Sequence, residues 1–210
     1  MEYPLITGQN QPKGLPNLRE WWMSLEAQWK MAFNEAVLRK GPDMSMPSPQ
    51  ELEYIWTSPA LRFAGPRAAN PSNSFELTNL SGLAHLPNVE VLVVIFHRIN
   101  SNLAHLAKYN KLKSLYVNNC MLTSLDGLQD VLLLEELIAN MNQIEGLKPL
   151  KKLTKLKKIY VNYNRLKSLE GITKDHRKNL RDFYCLPNQD LLDEEIMRVE
   201  NQAKIRCKTT

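Results

Sequence analysis

The stretch LKPLKKLTKLKKIYVNYNRL, Leu147 to Leu166, places Leu147, Leu150, Leu153, Leu156 and Ile159 at every third position and packs six lysines between Lys148 and Lys158. A period of three belongs neither to an amphipathic helix, which repeats near 3.6, nor to a half-buried strand, which repeats at 2. It points to another architecture or to a repeating unit. Sliding the stretch along the chain finds the unit. LSGL begins at Leu80, LAHL at Leu103, LDGL at Leu125, LKPL at Leu147 and LEGI at Leu169, in steps of 23, 22, 22 and 22 residues. A second element follows each: LVVIFHRI from Leu92, LYVNNCML from Leu115, LIANMNQI from Leu137, IYVNYNRL from Ile159 and a decayed FYCLPNQD from Phe183.

The shared pattern, L-x-L-x-x-N-x-L, resembles the leucine-rich repeat, specifically the 22-residue subclass of protein-phosphatase regulatory subunits and internalin-type bacterial proteins. The resemblance covers about Leu77 to Asp190. It implies an α/β solenoid, a horseshoe in which each repeat gives one short parallel strand to a concave sheet and a turn or 3₁₀ segment to the convex side. The residue types have their own reasons. In IYVNYNRL the alternation turns Ile159 and Val161 inward and Tyr160 and Asn162 outward, as a pleated strand requires. Asn164 stands where the chain leaves the strand, with Asn142 and Asn188 equivalent to it and Cys120 and His97 at the same position of earlier repeats. An amide with two donors and an acceptor can satisfy backbone groups left unpaired at such a turn. We therefore expect a structural ladder of His97, Cys120, Asn142, Asn164 and Asn188, which accounts for the histidine and the cysteine without a ligand or nucleophile role.

The flanks have a different character. PNLREWWMSLEAQWKMAFNEAVLRKGP reads as one helix between Pro16 and Gly41, with Asn17 as N-cap and Trp22, Leu25, Trp29, Ala32 and Ala36 on one face. A second helix starts at SPQELEYIW, with Ser48 as N-cap and Glu51 completing a capping box. The expected organisation is a helical N-terminal cap over 1–60, an irregular first strand and loop over 61–76, and repeats over 77–190, four regular and one degenerate. A C-terminal capping helix with Asp190 as N-cap and a frayed tail, RCKTT, fill 191–210. Capping is the expected role of the Trp-rich face, because a solenoid must cover the open end of its core. The alternative is a scaffold whose Trp-rich helices serve docking or self-association.

With 210 residues, 43% of them apolar, the chain can bury a sizeable core, and its longest apolar run, Val91 to Phe96, is far too short to span a bilayer. No membrane association is expected. MEYPLITGQN lacks the basic and apolar regions of a signal peptide, and three cysteines without C-x-x-C spacing argue against a disulfide framework, so the cytoplasm is the expected compartment. Neither phosphate-binding loops nor metal-ligand spacings nor nucleophile motifs occur. The expectation is a monomeric, non-enzymatic protein without cofactor or metal.

Function is then sought on the surface. One outward column reads Val93, Tyr116, Ile138, Tyr160, Tyr184, the next Ile95, Asn118, Asn140, Asn162, Leu186, and beside it stand Phe96, Asn119, Met141, Tyr163 and Pro187. Tyr supplies contact area at small entropic cost and Asn supplies adaptable hydrogen bonds. The expected partner is a protein or peptide held by Val93, Tyr116, Asn118, Ile138, Asn140, Tyr160, Asn162, Tyr163 and Tyr184. The net charge of +5 lies wholly in residues 61–210, which makes binding of nucleic acid or another polyanion through the basic fourth repeat the alternative. Nucleic acid is disfavoured, because the six lysines are expected on convex and edge surfaces, beside an acidic coil carrying Asp126, Asp130, Glu135 and Glu136.

Overall fold

The computed structural model describes residues 17–100 and 102–209; the opening segment read for a targeting signal, the start of the expected N-terminal cap and Thr210 lie outside the described residues. The period of three has a direct cause. Leu150 N–H donates to the Leu147 carbonyl (2.9 Å), Leu153 to Leu150 (2.8 Å) and Leu156 to Leu153 (3.1 Å). These are i to i+3 bonds, and Lys148–Lys152 is a 3₁₀ helix, whose three residues per turn stack side chains in one line. Each leucine thus fills the core and closes the turn that places the next. Leu125, Leu128, Val131 and Leu134 are bonded in the same way one coil earlier.

After each such spine the chain straightens into a strand. β1 (Ala60–Ala64), β2 (Val91–Ile95), β3 (Ser114–Tyr116), β4 (Glu136–Ile138), β5 (Lys158–Tyr160), β6 (Asp182–Leu186) and β7 (Lys208–Thr209) form one parallel sheet in sequence order. The register aligns Leu61, Leu92, Leu115, Leu137, Ile159 and Phe183, all buried, as the inner wall of an open solenoid. β1, expected to be irregular, is a five-residue strand in unbroken register with β2. Its free edge is bonded by its own loop: Ser72 Oγ accepts from Ala64 N, and Asn73 N donates to Ala64 O.

The single N-terminal helix expected from spacing is divided. α1 (Leu18–Ser24) and α2 (Ala27–Ala32), which runs on into a π turn at Phe33–Val37, are separated by Leu25 and Glu26 in extended backbone. The break belongs to contacts some 50 residues away in the chain. Glu26 accepts from Ser81 Oγ (2.7 Å) and Asn79 Nδ2 (2.9 Å), and Gln28 Oε1 accepts from Thr78 N (3.0 Å). The bonds from Ser81, foremost, and Asn79 hold the Glu26 carboxyl below the usual range. They re-aim α2 so that Trp29 and Phe33 pack on Phe63 at ring separations of 5.2 and 5.5 Å. Gly82 is the seat of this joint, since a Cβ there would meet the Trp29 ring at 2.2 Å. α3 (Pro49–Thr57) starts with the Ser48–Glu51 capping box and buries Leu52, Ile55 and Trp56.

At the other end two expectations are corrected. α4 (Asp193–Arg198) begins after Leu192, not Asp190, because its first-turn Glu195 is drawn inward: its carboxylate accepts from Leu169 N (2.7 Å), Ser168 Oγ (2.9 Å) and Arg198. Arg198 first, then those donors, hold the Glu195 carboxyl down at about 2. The supposed frayed tail supplies β7. Lys208 Nζ reaches Asp182 Oδ1 and the Arg181 carbonyl, both at 2.8 Å, which pins the strand to the edge of β6.

Candidate functional site

Parallel register gathers the outward positions. Val93, Tyr116, Ile138, Tyr160 and Tyr184 are direct neighbours across β2 to β6, all half-buried. The Tyr160 and Tyr184 rings lie 4.5 Å apart at 58°. The column is longer than the sequence suggests: Arg62 pairs with Val93 at one end and Lys208 with Tyr184 at the other, its ammonium 5.5 Å from the ring centre. Arg62 follows from the alternation Leu61–Arg62–Phe63. No sequence signal marks Lys208, because a two-residue strand has no period.

A second outward row crosses the strand starts: Ala60, Val91, Ser114, Glu136, Lys158, Asp182. Here one lysine departs from expectation. Lys158 opens β5 and stands on the concave side, its Nζ 2.9 Å from Glu136 Oε1, because the strand begins one residue before Ile159. Glu136 Oε2 also accepts from the Tyr116 hydroxyl at 2.9 Å. The carboxyl is held below the ordinary range by Lys158 first, and the Tyr116 hydroxyl is pushed up by burial and by Glu136. Tyr116 therefore presents its ring rather than its hydroxyl. Of the other five lysines in the run, Lys148 pairs with Glu170 at 3.1 Å and Lys157 with Glu135 at 2.6 Å. Half the run is matched by acids on adjoining coils.

Asn118 and Asn140 are half-buried on the same face, but Asn162, expected to be available to a partner, is only 2% exposed. Asn118 and Asn140 therefore remain the column's accessible amides. At the strand exits Phe96, Asn119, Met141 and Tyr163 all take left-handed backbone, with φ of 58°, 55°, 57° and 55°. Asn suits that conformation; Phe, Met and Tyr strain it. Met141 and Tyr163 are nevertheless 48% and 49% exposed.

Behind this row runs the ladder. Asn142 Oδ1 accepts from Cys120 N (2.9 Å) and Leu122 N (3.0 Å), while its amide donates to Val117 O (2.9 Å). Asn164 receives Ile144 N and donates to Ala139 O, both at 3.0 Å, and Asn188 receives Asn164 N at 2.9 Å and donates to Val161 O at 3.0 Å. Cys120 Sγ donates to Val94 O at 3.1 Å. His97 does the same work with a ring: Nδ1 accepts from Leu77 N (3.0 Å), so Nε2–H donates to Phe63 O (3.3 Å). Burial pushes His97 down to about 4 and Cys120 up to about 12. Both are held in forms unsuited to proton transfer or nucleophilic attack near neutrality.

Residues 133–174 match the family described as Leucine Rich repeats (2 copies). Among solved structures, a leucine-rich repeat protein of Leptospira interrogans is similar at 20% identity and TM-score 0.55, over 86% of this chain and 56% of that one. Internalin C2 of Listeria monocytogenes is 17% identical over 80% of this chain and 86% of its own, with a TM-score of 0.44. The leucine-rich repeat ectodomain of the Arabidopsis thaliana receptor kinase GASSHO1/SCHENGEN3, solved in complex with Casparian strip integrity factor 2, is 22% identical at TM-score 0.46. That likeness covers 67% of this chain and 17% of that one. No curated protein matches the sequence.

Proposed function

We propose that this leucine-rich repeat protein is a non-enzymatic module that binds a protein or peptide on its concave face. Phe96, Met141 and Tyr163 carry the reading. Folding alone would place Asn or Gly at a left-handed strand exit, as it does at Asn119, and bulky apolar groups there cost on the order of 1 kcal/mol each. Retaining Met141 and Tyr163 half in solvent is understandable if a partner covers them. Beside them the column of Val93, Tyr116, Ile138, Tyr160 and Tyr184 offers ring faces as anchors, and Asn118 and Asn140 offer amides to a backbone. Extended concave surfaces of stacked repeats are commonly used for protein binding.

The test is a displayed library of random peptides panned against the native protein. A recovered consensus should bind Tyr160→Ser at least about tenfold more weakly, the expected loss of a central aromatic anchor. Tyr163→Asn should lose affinity while melting no earlier, since Asn suits its backbone. Peptides that bind both variants as well as native protein would overturn the reading, and so would a collapse of Tyr160→Ser melting with affinity kept.

A further inference from the structure

We propose, resting on the concave-face reading above, that the segment held there is an uncharged, proline-rich peptide in polyproline II conformation, crossing the strands with the spacing Pro-x-x-Pro. Between β3 and β6 the face is divided into lanes. Tyr116, Tyr160 and Tyr184 belong to an aromatic rail on one side, and Met141 and Tyr163 form a second, exposed rail at the strand exits. Asn118 and Asn140 lie between the rails, each two residues beyond the Tyr column on its own strand. The charges of this region are paired within it. Lys158 holds Glu136 at 2.9 Å and Lys208 holds Asp182 at 2.8 Å, so the lanes match an uncharged occupant.

The amides decide which backbone suits. Among the described residues, the side chains of Asn118 and Asn140 bond to no other group, and both are half-buried. An α-helix keeps its carbonyls in its own hydrogen bonds and offers them nothing. A polyproline II segment has no internal hydrogen bonds, so its carbonyls are free to accept from both. The period then separates it from an extended strand. Neighbouring strands lie about 4.8 Å apart, which puts Tyr116 on β3 and Tyr160 on β5 about 9.6 Å apart. Polyproline II returns to the same side every three residues, after about 9.3 Å. An extended chain returns after about 6.7 Å and falls out of step within one repeat. One proline therefore covers the Tyr116 ring, whose hydroxyl is already given to Glu136. The next, three residues on, meets Tyr160 and Tyr184, whose rings, 4.5 Å apart and inclined by 58°, make an angled seat. Proline also brings no N–H to be left unpaired, and its fixed φ lowers the cost of ordering the segment.

Displayed libraries with two fixed prolines in the spacings Pro-x-Pro, Pro-x-x-Pro and Pro-x-x-x-Pro are mixed equally with a proline-free library and panned on the full chain. Pro-x-x-Pro sequences without charged residues should be enriched. The synthetic winner should lose about tenfold in affinity on Tyr160→Ser and about fivefold on Asn140→Ala, two variants that report independently should either fail to fold. Lengthening its spacing by one residue should cost about tenfold. Its affinity should barely change between low and high salt. Proline-free winners that still depend on Tyr160 would overturn the polyproline conformation and leave the concave-face reading standing. Winners indifferent to both Tyr160→Ser and Asn140→Ala would overturn the two together. A charged consensus with steep salt dependence, or equal recovery of all spacings, would also overturn the proposal.

Discussion

His97 does with an imidazole what Asn142 and Asn164 do with an amide, and the substitution makes one rung of the ladder sensitive to pH. Its neutral form is required, because Nδ1 must accept from Leu77 N. In the unfolded chain the ring takes a proton near 6.5, in the fold only near 4, so the unfolded state binds the extra proton as pH falls. Stability is fully present above about 6.5 and is lost between 6.5 and 4, by up to about 3 kcal/mol. His97→Asn should flatten urea-denaturation midpoints across that window while leaving the neutral value within about 1 kcal/mol. A variant as acid-sensitive as the native protein would remove His97 from this role.

At the scale of elements, the coils are locally encoded and the ends are not. The spine Leu147–Leu150–Leu153–Leu156 carries both its burial and its bonds within ten residues, so its period can be read from sequence. The alternation of Ile159, Tyr160 and Val161 likewise identifies which side chains leave the core. The break at Leu25–Glu26 cannot be read this way, since the groups that impose it are Thr78, Asn79 and Ser81. Nor can β7, whose two residues join the sheet through Asp182, nor the burial of Asn162, whose outward place in the alternation predicts exposure. Helical spacing still places Trp29 and Phe33 on the buried face, because they stand one helical turn apart, the Phe33 N–H bonded to the Trp29 carbonyl. The joint between cap and first coil is tight at Gly82. Gly82→Ala, where the new methyl meets a buried indole, should destabilise the protein by about 1–3 kcal/mol and shift Trp fluorescence. An unchanged melting temperature would mean that α2 is free to lift.

Over the whole molecule, charge is arranged as pairs between neighbouring coils: Lys113 with Glu90, Lys157 with Glu135, Lys158 with Glu136, Lys167 with Glu145, Lys148 with Glu170. The surplus of +5 is therefore interleaved with acid in place of forming a track. Binding of random duplex DNA at physiological salt should be weaker than about 10 µM, and reversing Lys151, Lys152 and Lys155 to Glu should change little. Submicromolar binding with a steep salt slope, lost in that variant, would favour a polyanion partner.

The ladder also has a direction. Every rung reaches back: Asn142 to Val117 O, Asn164 to Ala139 O, Asn188 to Val161 O, Cys120 to Val94 O, His97 to Phe63 O. Each Asn rung also bonds its own coil, yet the corner before it is completed only by its arrival. On a ribosome, which delivers the chain from the N-terminus, each coil must wait about 22 residues of further synthesis before its backbone is satisfied, so folding trails translation by one repeat throughout. The last spine is closed from outside the repeats, when Glu195 arrives to take the amide of Leu169.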